Sequence, residues 1–88
     1  MTVIDGARLW ALHATHGFPL EVSVPMAGDH DAVPDWLGLL RAARKDGANI
    51  PALIRRLDAV VGDAYPPPIA DAIRERLSLM PKYLESHP

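Results

Sequence analysis

The stretch Asn49-Ile50-Pro51-Ala52-Leu53-Ile54-Arg55-Arg56-Leu57-Asp58-Ala59-Val60-Val61-Gly62 decides the fold class. Ile50, Leu53, Ile54, Leu57 and Val61 recur at i, i+3, i+4, i+7 and i+11, one face of an α-helix. Asn49 fits as N-cap, because its side-chain oxygen can accept from an N–H two or three residues on. Pro51 falls in the first turn, where its missing N–H costs nothing. Arg55, Arg56 and Asp58 lie off the stripe, and Gly62 is the expected stop. An amphipathic helix needs partners to cover its stripe, and the flanking sequence supplies three further helical patterns.

Upstream, the pattern from Pro34 to Lys45 predicts a helix. Pro34 suits the first position, and Trp36, Leu37, Leu40 and Ala43 follow a helical period. Asp35 in the first turn and Arg41, Arg44 and Lys45 in the last match the helix dipole. Gly47 closes it. Further upstream, Ile4 to His16 reads as a helix with Leu9, Leu12 and His16 in register. Thr2 and Asp5 precede it like a capping box, and Gly17 and Pro19 stop it. Downstream, Asp63 to Pro68 reads as a rigid linker and Pro68 to Met80 as a helix burying Ile69, Ile73, Leu77 and Met80. Pro81 is expected to break it, leaving residues 82–88 as a short tail in which Tyr83 and Leu84 dock back. Between the first two helices, Leu20, Val22 and Val24 alternate with Glu21 and Ser23. This is a strand period with no partner strand elsewhere, so Phe18 to Val24 is expected to be extended or a single turn. Ala27 to Val33 is expected to be a polar loop. The expectation is an all-α fold. It is one small compact domain over residues 1–88, with about four short helices and an irregular or extended segment after the first.

Composition narrows the function. Eighty-eight residues leave no room for a catalytic domain plus a substrate domain. The absence of cysteine removes disulfide scaffolds, thiolate zinc sites and cysteine nucleophiles. A net charge of -2 gives no bulk positive field toward nucleic acid or anionic membrane. No basic-then-apolar leader pattern and no membrane-length apolar run is visible, so a cytoplasmic location and no membrane partner are expected. Charge is uneven: residues 1–35 carry five acidic residues against Arg8 alone, and residues 36–88 carry eight basic against six acidic.

Ile4-Asp5-Gly6 followed by Leu12-His13-Ala14-Thr15-His16-Gly17-Phe18-Pro19-Leu20-Glu21-Val22-Ser23 resembles the segment after the catalytic domain of alanyl-tRNA synthetase. That family carries a Leu-Tyr-Asp-Thr-Tyr-Gly-Phe-Pro run after a Leu-Asp-Gly. Leu12, Thr15, Gly17, Phe18 and Pro19 match it, and Asp35, Gly38 and Leu39 extend the match loosely, over about residues 4–40. His13 and His16 replace the family's tyrosines and Ala14 its aspartate. The resemblance implies a helical tRNA-recognition fragment. It does not imply aminoacylation, because the catalytic and editing motifs are absent.

Several constellations invite chemistry. His13 and His16, three apart, could join Asp29-His30-Asp31 as metal ligands, but a site needs three or four convergent groups. The reading preferred here is that both histidines flank a helix end, and neither metal nor cofactor is expected. Asp29, Asp31 and Asp35 have acid/base potential. No nucleophile or phosphate loop accompanies them, so no enzymatic activity is expected. Arg41, Arg44, Lys45, Arg55 and Arg56 form the one basic patch, a candidate for phosphate contacts to tRNA or another nucleic acid. Asp29, Asp31, Asp35, Trp36, Tyr83 and Leu84 are the candidate protein interface, with aromatic residues as anchors. Helical domains this small without a staple often complete their core by dimerising, so a homodimer is a further expectation. The functional expectation is a non-enzymatic interaction module binding a protein partner, of the kind found among phage and mobile-element accessory or inhibitor proteins. The alternative is an RNA-binding helical module.

Overall fold

Asp5 organises the start of the chain. Its carboxylate accepts from the backbone N–H groups of Ala7 and Arg8 at 2.9 and 3.3 Å, capping helix α1, Gly6–His16. Ahead of the cap, Thr2–Ile4 form strand β1. The computed structural model describes residues 1–87. After α1 come α2 (Leu20–Asp29), β2 (Ala32–Pro34), α3 (Trp36–Lys45), α4 (Ile50–Ala64) and α5 (Pro67–Ser86). The described chain is mostly helical, as expected, but it holds five helices and a two-stranded parallel sheet. In that sheet Thr2 stands beside Ala32, Val3 beside Val33 and Ile4 beside Pro34.

The largest departure from the sequence reading is α2, where an extended segment and the start of a loop were expected. Leu20, Ser23, Val24 and Ala27 are buried, at i, i+3, i+4 and i+7. The same residues that alternate locally therefore also carry a helical face, and α4 and β2 cover it. Pro25 sits inside this helix. An interior proline costs about 3 kcal/mol, whereas full burial of Leu20 and Val24 contributes roughly 3–6 kcal/mol together. Packing wins. The expected polar loop is cut short as well. Asp31 takes a left-handed φ of 55°, the chain reverses, and β2 lies along β1.

Pro81 does not end the last helix. α5 continues to Ser86, so most of the segment expected as a tail is helical; Pro88 lies outside the described residues. Leu77 and Leu84 are both fully or nearly fully buried on either side of Pro81. Their shared burial holds the helix through the missing hydrogen bond.

One apolar cluster joins all five helices, with Leu20, Leu39, Leu40, Leu57, Leu77 and Leu84 at its centre. Two devices bring the elements close. Gly6 lies so near α3 that a Cβ there would stand 2.0 Å from the Asp35 carbonyl oxygen and 2.4 Å from the Leu39 nitrogen. The buried Tyr65 hydroxyl donates to the Ala32 carbonyl at 2.8 Å, tying the end of α4 to β2.

Candidate cationic groove

The site grows from α3. The Asp35 carboxylate accepts from the Gly38 N–H at 3.1 Å and so starts the helix. From there Gly38, Arg41, Ala42 and Lys45 fall at i, i+3, i+4 and i+7 on one face. Together with Ala7 of α1, Leu84 of α5 and Arg44, they line an open groove of about 830 Å³. Small side chains form much of its lining, and three cations stand around them.

Two of those cations also hold the end of α5. The Arg44 guanidinium donates to the Leu84 carbonyl, and Arg41 donates to the His87 carbonyl at 3.3 Å. Carbonyls in a last helical turn lack intrahelical partners and carry the negative end of the dipole, so guanidinium groups suit them. Lys45 is exposed and forms no ion pair among the described residues.

Arg55 and Arg56 do not line this groove. Arg56 reaches back to α2, where its two nitrogens grip the Glu21 carboxylate, one of them at 2.6 Å. The hydrogen bonds from Arg56 pull the Glu21 carboxyl down to about 2 and raise Arg56 in turn. Arg55 is exposed on α4. The basic residues of the one predicted patch are therefore divided among a groove, a helix–helix clasp and the exposed face of α4.

The expected protein interface is also redistributed. Trp36 and Leu84 are 5% and 2% exposed and belong to the core. Trp36 opens α3 on its inward face, and Leu84 packs inward beyond Pro81, so neither is available as an exposed anchor. Asp35 is engaged as a helix cap. Asp29 ends α2 and Asp31 occupies the turn, both exposed. Tyr83 is partly exposed and stacks on His87 with ring centres 4.3 Å apart.

The histidines occupy a helix end. The His13 Nδ1 lies 3.1 Å from the Phe18 carbonyl, beside the left-handed Gly17 whose N–H donates to the His13 carbonyl at 3.0 Å. Among the described residues no three histidine or acidic side chains converge on a metal-sized site. Asp46 is engaged elsewhere, accepting from the Trp10 indole N–H at 2.7 Å.

Sequence reasoning missed the small residues of the groove and the partner of Arg56. The spacing of Gly38 and Ala42, four apart and interleaved with Arg41 and Lys45, is the signal that points to the first. No protein-family model, curated protein or solved structure matches the chain.

Proposed function

We propose that the chain is a non-catalytic interaction module that binds a protein partner, receiving an acidic segment of that partner in the groove between α1, α3 and the end of α5. The observation that carries this reading is the groove lining. Gly38, Ala42 and Ala7 leave room for a backbone to approach, and Arg41, Arg44 and Lys45 stand where carboxylates would be paired. An accessory or inhibitor role fits such an activity.

The RNA-binding alternative draws less support. A phosphate backbone is best held by a continuous cationic track. Arg56 is engaged by Glu21, and Arg55 does not line the groove.

The test is capture from native lysate with tagged full-length chain, with and without nuclease. The proposal expects a protein retained after nuclease treatment. That protein should be lost when Arg41 and Lys45 are both changed to Glu, and lost on Ala42→Arg, but kept on Arg55→Glu. Retention dominated by tRNA, released by nuclease and weakened by Arg55→Glu, would overturn the proposal and promote the RNA reading.

A further inference from the structure

The longest helix keeps a face that nothing among the described residues covers. α5 has 20 residues, about 30 Å at 1.5 Å per residue, and the molecule's longest extent is 30 Å. Its buried residues are Ala70, Ile73, Leu77 and Leu84. On the opposite side Ala72, Leu79 and Tyr83 fall within an arc of roughly 40° at about 100° per residue, and all three are exposed. Leu79, at 66%, is the most exposed large apolar side chain among the described residues.

The charges beside this stripe are arranged unevenly. Glu75 and Lys82, seven residues apart, share one flank of it. Both are exposed, and among the described residues neither forms an ion pair. Arg76 lies on the other flank.

We infer that α5 pairs with α5 of a second copy of this chain, antiparallel, about a two-fold axis passing between Ser78 and Leu79. In an antiparallel helix pair each flank faces the same flank of its partner. Glu75 and Lys82 are equally far from the proposed axis, on opposite sides along the helix. Glu75 of each copy then stands level with Lys82 of the other, giving two symmetric ion pairs. The two Leu79 side chains meet at the axis, and each Tyr83 covers the small Ala72 of the other copy. Parallel pairing would instead set opposite flanks together, with Glu75 beside Arg76 of the other copy and Lys82 facing no carboxylate. Only the antiparallel arrangement pairs both Glu75 and Lys82, and such a self-complementary surface is what a two-fold dimer requires. This surface is separate from the groove, and the dimer does not depend on the groove's function.

The experiment is sedimentation equilibrium of the full chain from about 10 µM to about 1 mM, a range suited to a small interface. The expected result is a reversible monomer–dimer equilibrium. Leu79→Glu, at an exposed position, should raise the dissociation constant at least about tenfold, with the circular dichroism spectrum unchanged. Glu75→Lys and Lys82→Glu should each weaken self-association roughly fivefold. An equimolar mixture of those two variants should dimerise as well as the wild type, because every cross-pair is again opposite in sign. A chain that stays monomeric to about 1 mM would overturn the inference. So would a dimer indifferent to Leu79→Glu, or singly substituted variants that are not rescued by mixing.

Discussion

Replacing Gly6 with Ala sets two physical effects against each other. Gly6 is the first residue of α1, and alanine is the better helix former by up to about 1 kcal/mol. Propensity alone therefore predicts a stabilised protein. The packing predicts the reverse. The new Cβ would lie 2.0 Å from the Asp35 carbonyl oxygen, 2.4 Å from the Leu39 nitrogen and 3.0 Å from the Leu39 Cα. All three are backbone atoms at the start of α3, so no side chain can swing aside. An ordinary carbon–oxygen contact is more than 1 Å longer, and α1 must lift from α3 by about that distance. Overpacking of this kind costs about 1–3 kcal/mol, and a backbone obstacle places it at the upper end. Total stability for 88 residues is of the order of 4–13 kcal/mol. A net loss near 2 kcal/mol is a large share of that, equivalent to a fall in Tm of roughly 8–16 °C. Thermal unfolding followed by circular dichroism measures it. Gly47→Ala is the control, because its cost comes from a φ of +81° with no atom within 4 Å, about 1–2 kcal/mol. An unchanged or raised Tm for Gly6→Ala would show that the α1–α3 approach is not as close as described.

Two further outcomes follow from buried and paired polar groups. Tyr65→Phe removes the hydroxyl that donates to the Ala32 carbonyl and should cost about 1–2 kcal/mol in urea unfolding, since a buried acceptor loses its partner. Burial also pushes the Tyr65 hydroxyl up to about 12 from its ordinary value of 10. The unfolded chain therefore ionises first: this contribution to stability is complete below pH 10 and is lost as pH rises toward 12. Unfolding measured across that range should fall less steeply for Tyr65→Phe than for the wild type. Glu21 shows the opposite sign. Its carboxyl is held at about 2 against an ordinary 4.5, so its contribution is present above pH 4.5 and lost as pH falls toward 2. Both partners are more than a third exposed, which limits the effect to less than about 1 kcal/mol. Glu21→Gln should remove that part of the acid slope, as read by unfolding at pH 7 and pH 3.

Legibility in the sequence follows how local the deciding interactions are. α3 and α4 are readable because Asp35 and Asn49 cap them with their own side chains, and each carries an apolar stripe. α2 is not, because Leu20 and Val24 satisfy an alternating and a helical period equally. The deciding surface is chiefly α4, which starts about twenty residues beyond α2 and lies outside any local window. The strands are three residues each, and their pairing joins Thr2 to Ala32 across two helices. No local pattern announces such a contact. The same misreading hid a site feature. An extended segment over residues 18–24 gives Glu21 no reason to meet Arg56, and without that clasp the basic patch reads as continuous. Arg41, Arg44 and Lys45 were legible as the charged end of a helix; the neighbouring positions of Ala7 and Leu84 depend on how α1 and α5 pack.

The two surfaces of α5 give a final test of how the functions are divided. Leu79 and Leu84 are five residues apart, roughly 140° around the helix, one exposed and one lining the groove from the core side. A substitution at Leu79 therefore has no direct route to the Arg44 contact with the Leu84 carbonyl or the Arg41 contact with the His87 carbonyl. Leu79→Glu should dissociate the dimer yet keep the partner in the groove when each chain binds it alone. Lys45→Glu should do the converse, since Lys45 lies on α3 and forms no ion pair among the described residues. A partner with two acidic segments would distinguish the states further. A dimer offering two grooves would hold it more tightly than twice the single-site occupancy, because the second contact forms at high effective concentration. The measurement is partner binding by surface plasmon resonance with the chain immobilised and with the chain in solution, for wild type and Leu79→Glu. Loss of single-site affinity in a folded Leu79→Glu chain would show that α5 couples the two surfaces, and the assignment of separate roles to its two faces would fail.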